Sequence, residues 1–145
     1  MHRSHIIKKT AEYVKKQLEG DSTGHDWWHA YRVRKLAVRL AKEEHADLYV
    51  VELAALLHDI DDWKFREGSS GPKLAREWLQ ELGIDQKIIT RVCEIIEGMS
   101  FKGAGVKTLM KTKEGMVVKD AERLDAIGAI GIARTFAYGG YKGIV

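Results

Sequence analysis

The chain is 145 residues long, inside the size of one ordinary domain, and its 45% hydrophobic and 31% charged residues describe a protein that folds rather than a disordered tail. Lys and Arg outnumber Asp and Glu by three, 24 against 21; this mild basicity suits a small phosphorylated substrate and argues against nucleic acid, since no basic stripe is interleaved with aromatics. No apolar run approaches the roughly 18 residues of a membrane span, and Met1-His2-Arg3-Ser4-His5 leads into no signal-type core, so a soluble, cytoplasmic protein with no membrane partner is expected.

Ile6, Ile7, Ala11, Val14 and Leu18 recur at helical spacing and predict a first helix ending near Gly20, followed by a turn over Gly20-Asp21-Ser22-Thr23-Gly24. From Asp26, the series Ala30, Val33, Leu36, Ala37, Leu40, Ala41 predicts a long second helix. Asp47 is placed to cap a third, Leu48 to about Ile60, whose apolar residues on most sides mark it as the buried centre of a bundle. Pro72 suits the first position of a fourth helix ending at Gly83, and Asp85 caps a fifth in which Ile88, Ile89, Val92, Cys93, Ile95 and Ile96 face inward. Cys93 is the single cysteine, so no internal disulfide forms, and stability has to come from packing, a bound ion or self-association as a homodimer. Met99 to Gly115 reads as a long loop. Two closing helices follow, the first holding Met116-Val117-Val118 and Leu124, the second beginning around Gly128. No run alternates with period two, so the expected architecture is one all-α domain over 1–145, a compact helical bundle of about six or seven helices.

Chemistry concentrates at His58-Asp59, at the end of the most apolar helix, where an unpaired buried carboxylate would cost several kcal/mol. A divalent cation beside the helix would compensate Asp59 and use His58 as a ligand. His29 on the second helix and Asp120 in Met116-Val117-Val118-Lys119-Asp120-Ala121 would complete such a site, and two neutral imidazoles with two carboxylates cancel the ion's charge. A core ion pair of the carboxylates with Arg123 or Lys119 is the alternative. Mixed nitrogen and oxygen ligands favour manganese, iron, cobalt, nickel or zinc over calcium.

The set His29, His58-Asp59 and Asp120 resembles the H…HD…D signature of the HD-domain superfamily of metal-dependent phosphohydrolases. Gly24-His25-Asp26-Trp27-Trp28-His29-Ala30-Tyr31-Arg32-Val33 is similar to the family's first motif and Leu56-Leu57-His58-Asp59-Ile60 to its second. The string from Asp120-Ala121-Glu122-Arg123-Leu124-Asp125 through Gly131-Ile132-Ala133-Arg134 resembles the last motif of a small bacterial subgroup that includes nucleotide pyrophosphohydrolases. The resemblance runs from about Ile6 to the end, and members of the subgroup usually continue beyond Tyr138-Gly139-Gly140-Tyr141, so a trimmed C-terminal part holding a substrate lid is expected. No histidine follows His58, which implies one ion rather than the two of many cyclic-nucleotide phosphodiesterases. Manganese or iron is implied first, with magnesium, cobalt, nickel or zinc after them.

The resemblance further implies in-line attack of metal-bound water on phosphorus, with cations stabilising the transferred group. Asp62, three residues after Asp59, resembles the acid that orients the water or protonates the leaving group; a residue of the helix's final turn is the other reading. Glu67 is a second catalytic candidate. Lys64 and Arg123 are candidates for phosphate binding, with Arg66, Lys102 and Lys107 behind them, and His25, one turn before His29, is a candidate phosphate ligand or acid. Trp27 and Trp28 read as core anchors, with base stacking as the alternative. The implied function is hydrolysis of nucleoside triphosphates to monophosphate and pyrophosphate. Nucleotide or sugar phosphomonoesterase action and a non-catalytic, metal-stabilised nucleotide-binding module are the alternatives.

Overall fold

The structure, a computed structural model, describes residues 2–20, 26–61, 71–99, 110–127 and 136–143. Every regular element among them is a helix, as the patterning predicts. Helix α1, Arg3–Gln17, buries Ile6, Ile7, Thr10 and Val14 along one stripe. Helix α2, Trp27–Glu44, starts at Asp26, whose carboxylate accepts from His29 N at 2.9 Å, and buries His29, Ala30, Val33, Ala37 and Ala41. Those small residues let α2 lie close against α3, Leu48–Leu57, which Asp47 caps by accepting from Tyr49 N at 3.1 Å and Val50 N at 3.4 Å. Leu53, Ala54, Ala55, Leu56 and Leu57 are wholly buried, because α1, α2, α5 and α6 all pack on α3. It is the predicted central helix.

Helix α4, Lys73–Glu81, rests on α1 through the stacked rings of Tyr13 and Trp78, centroids 4.1 Å apart, and a Trp78 Nε1–H bond to Thr10 Oγ1 of 3.0 Å. Helix α5, Gln86–Gly98, opens at Asp85, which accepts from Lys87 N at 2.8 Å, and turns Ile89, Val92, Cys93, Ile95 and Ile96 inward. Helix α6, Lys113–Asp125, opens at Thr112, whose hydroxyl accepts from Gly115 N at 3.0 Å. Residues 136–142 are also helical.

Several boundaries differ from the patterning, among them the ends of α1, at Gln17 rather than near Gly20, and of α4, at Glu81 rather than Gly83. Helix α3 ends at Leu57, three residues before Ile60, so His58 and Asp59 sit in the turn that follows it. Pro72 is the residue before α4 rather than its first member. The expected loop from Met99 to Gly115 is shorter at its far end, since the Thr112 cap starts α6 upstream of Gly115 and packs that glycine against Met110. The turn at 21–24, residues 100–109 and the helix start at Gly128 lie outside the described residues. Among the described residues no helix is long and apolar enough to cross a membrane.

Candidate metal centre

Only Leu48's N-terminal cap and the two residues before it separate α2 from α3, so the two helices run antiparallel, with Arg34 paired to Glu52 midway and His29 beside His58 at the far end. The first turn of α2 thus meets the turn that leaves α3. Helix α6 packs on both and brings its last turn to the same place. Three helices converge on one buried point.

Each histidine has its outer nitrogen committed. His29 Nδ1 lies 2.6 Å from Asp125 Oδ2, so its proton goes to that carboxylate, and His58 Nδ1–H donates to Ala55 O at 2.7 Å. Both inner Nε2 atoms therefore face the centre. There His29 Nε2 is 2.9 Å from Glu122 Oε2 and 3.3 Å from Asp59 Oδ2, and His58 Nε2 is 2.8 Å and 3.2 Å from the same atoms. His29 is wholly buried and His58 nearly so. Asp125 is in turn gripped by Arg32, Nε to Oδ1 at 2.7 Å and Nη2 to Oδ2 at 3.2 Å.

Two nitrogen lone pairs cannot sit at these distances from two carboxylates with nothing between them. Burial alone would lower the His29 pKa, but hydrogen bonds to Asp59 and Glu122 outweigh it and raise it to about 9. His58 is likewise raised well above its ordinary value, burial opposing and Asp59 and Glu122 prevailing. Burial would raise Glu122, but His58 and His29 pull it down. Even so, His58 Nε2 is buried, and its close approach to Glu122 and Asp59 lacks the alignment of a hydrogen bond.

A divalent cation satisfies all four groups together, and the orphaned His58 nitrogen is the observation that shows the fit. One ligand atom each from His29, His58, Asp59 and Glu122 lies within 4.8 Å of the others, close to the span of atoms that share an ion roughly 2.1 Å away. Two neutral imidazoles and two carboxylates balance its charge. Asp125 and Ala55 already hold the imidazoles in the tautomer an ion needs.

The structure brings His29, His58 and Asp59 together as the sequence predicts, but it does not bring in Asp120, which is exposed on α6. Glu122 stands there instead. Helix α6 buries Val117, Val118, Ala121 and Asp125, a stripe that leaves position 122 at its inner edge and position 120 on the far side. Those spacings were visible in the sequence and favour Glu122; the run Asp120-Ala121 drew attention to Asp120 instead. Asp125 and Arg32, also missed, carry no separate signal beyond helical register. Arg123 is exposed on α6. His25, Asp62, Lys64, Arg66, Glu67, Lys102 and Lys107 lie outside the described residues. Trp27 packs partly against the core, whereas Trp28 is 60% exposed with its ring edge-on to Tyr31, so only the first is an anchor.

A family model described as the HD domain matches residues 27–127, a stretch that contains His29, His58, Asp59, Glu122 and Asp125. The chain belongs to the HD domain family. The chain is 41% identical over 139 residues to YpgQ of Bacillus subtilis (strain 168), an overlap of 90% of this chain and 65% of YpgQ. The chain thus spans less than two thirds of that relative's length. The crystal structure of Bacillus subtilis YpgQ in complex with ADP superposes with a TM-score of 0.78 at 40% identity, covering 100% of this chain and 71% of that one. An HD-superfamily hydrolase from Bacillus thuringiensis gives 0.75 at 44% identity, with 98% and 69% covered. A Lactobacillus plantarum protein gives 0.82 at 37%, with 99% and 66% covered.

Proposed function

We propose that this chain is a metal-dependent phosphohydrolase whose substrate is a nucleoside triphosphate, cleaved to the monophosphate and pyrophosphate. The observation that carries the reading is the buried meeting of His29, His58, Asp59 and Glu122 around an imidazole nitrogen with no hydrogen bond. A bound divalent ion, manganese or iron first, supplies Lewis acidity to a water and a phosphate oxygen. The protein's own part is to keep both Nε2 lone pairs turned inward and to offset the ion's charge with Asp59 and Glu122.

Asp62, just past the Asp59 turn, takes the proton of the attacking water or returns one to the departing pyrophosphate, with Glu67 as second candidate. His25, Lys64 and Arg123 are assigned to the phosphate chain. The new bond joins water oxygen to the α-phosphorus, and the bond to the β-phosphate oxygen breaks. Nucleotide as the substrate class draws support from YpgQ, a relative crystallised with ADP.

The test is a screen for phosphate and pyrophosphate release from nucleoside mono-, di- and triphosphates with manganese, magnesium, cobalt and zinc in turn. Activity on dATP or dGTP in ¹⁸O-water should leave the label in the monophosphate. Activity on monophosphates alone would replace the reading with a phosphomonoesterase, and metal binding without turnover of any phosphate ester would leave a binding module.

A further inference from the structure

The two histidines of the centre are held differently, and that difference has no counterpart in the proposed chemistry. His58 Nδ1–H donates to a neutral backbone carbonyl, Ala55 O, at 2.7 Å. His29 Nδ1 meets a charged carboxylate, Asp125 Oδ2, at 2.6 Å. That carboxylate is itself clamped at both oxygens by Arg32, from Nε at 2.7 Å and Nη2 at 3.2 Å. The Asp125 side chain is only 5% exposed and His29 is 0% exposed, so the line from guanidinium to carboxylate to imidazole is shielded from water over its inner part.

Each link has a physical role. The guanidinium fork fixes the carboxylate plane in a way a single donor could not. It also faces both Asp125 oxygens with a permanent cation, which favours the carboxylate form. A fixed carboxylate then pins the ring angle and the Nδ1–H tautomer of His29, and its charge pushes electron density toward Nε2. Ala55 O can pin the angle of His58 but brings no net charge.

We propose that Asp125 and Arg32 form a positioning pair that makes His29 the stronger of the two imidazole donors to the metal. This rests on the metal reading above, and it concerns residues that touch neither ion nor substrate. The sequence places them for it: Arg32 follows His29 by three residues on α2, and Asp125 follows Glu122 by three on α6, so each member of the pair shares a helix face with a candidate ligand and reaches across to the other helix.

The probe is cobalt(II) alone, bound to wild type, Asp125→Asn, Arg32→Gln and His58→Ala. Titration gives affinity, and proton NMR of the paramagnetic protein resolves the exchangeable Nδ1–H of each ligating histidine. Asp125→Asn should weaken cobalt binding by roughly 10–100-fold, the usual effect of removing such a partner. It should also shift or broaden the His29 Nδ1–H signal and leave that of His58 in place. Arg32→Gln, at a side chain 31% exposed and so tolerant of change, should move the same signal in the same direction and weaken binding less. Wild-type affinity and an unmoved His29 signal in both variants, with cobalt lost from His58→Ala, would overturn the positioning pair and leave the metal reading standing. A wild-type protein that takes up no cobalt would overturn both.

Discussion

Glu122 and Asp120 are two positions apart on α6 and about 200° apart around it, which is the whole difference between a candidate ligand and a surface acid. Glu122 Oε2 sits 2.8 Å and 2.9 Å from the two imidazole nitrogens, whereas Asp120 is exposed. Glu122→Gln should therefore weaken manganese binding by more than the roughly 10–100-fold that outer partners cost, while Asp120→Asn should leave it unchanged in calorimetric titration. A loss in Asp120→Asn equal to that in Glu122→Gln would return the fourth ligand to Asp120. On α5, the Cys93 thiol is raised by burial, with Arg76 opposing and Glu97 and Asp61 adding to the rise. The folded chain then keeps a proton that the unfolded chain sheds near its ordinary value of about 8.5, so the linked stability is present below that pH and lost above it. Thermal midpoints measured from about pH 8 to pH 10 should fall further for wild type than for Cys93→Ala, and native Cys93 should resist iodoacetamide until the chain is unfolded.

Local chemistry made most helix starts readable, and tertiary packing set the limits that were not. Asp47 and Asp85 cap the helices that the sequence assigns to them, and Asp26 caps the one read as starting there, because each side chain accepts from an amide two or three residues ahead and needs nothing else. The end of α3 is different: its apolar run continues to Ile60, but the chain leaves the helix at Leu57 so that His58 and Asp59 can both turn toward the centre. That departure answers to groups on α2 and α6 and is invisible in a local pattern. The end of α4 is local again. Gly83 has φ +71, its N–H bonds to Gln80 O at 3.0 Å, and the Ile84 N–H bonds to Leu79 O at 3.1 Å, the paired bonds of a Schellman turn. No atom lies within 4 Å of the place a Cβ would occupy, so Gly83→Ala incurs only the cost of a left-handed backbone. Urea unfolding should show a loss of about 1–2 kcal/mol with an unchanged slope; an unaltered midpoint would show that the turn relaxes into another form.

At the scale of the molecule, the candidate centre is a junction: α2 supplies His29, the exit of α3 supplies His58 and Asp59, and α6 supplies Glu122. These groups lie 93 residues apart at their widest, from His29 to Glu122, so an ion bound there ties the first half of the chain to its last described long helix. Without it, like lone pairs and carboxylates are held together only by protons and by packing around α3. A ligand that binds the folded state alone stabilises it by RT ln(1 + [L]/Kd), about 2.7 kcal/mol at a free concentration 100 times Kd. For a chain of this size each kcal/mol moves Tm by roughly 2–4 °C, so saturating manganese should raise Tm by roughly 5–11 °C over the protein in EDTA. His58→Ala should abolish the rise, because it removes a ligand from a centre that cannot refill the buried position. The apolar interior sets a contrasting case: Leu53→Ala, wholly buried in the middle of α3, should cost about 2–5 kcal/mol whether metal is present or not, and should keep the manganese increment intact. Differential scanning calorimetry of the three proteins, with metal and with EDTA, separates the two contributions. A wild-type Tm indifferent to every divalent ion would mean that protons alone hold the junction closed.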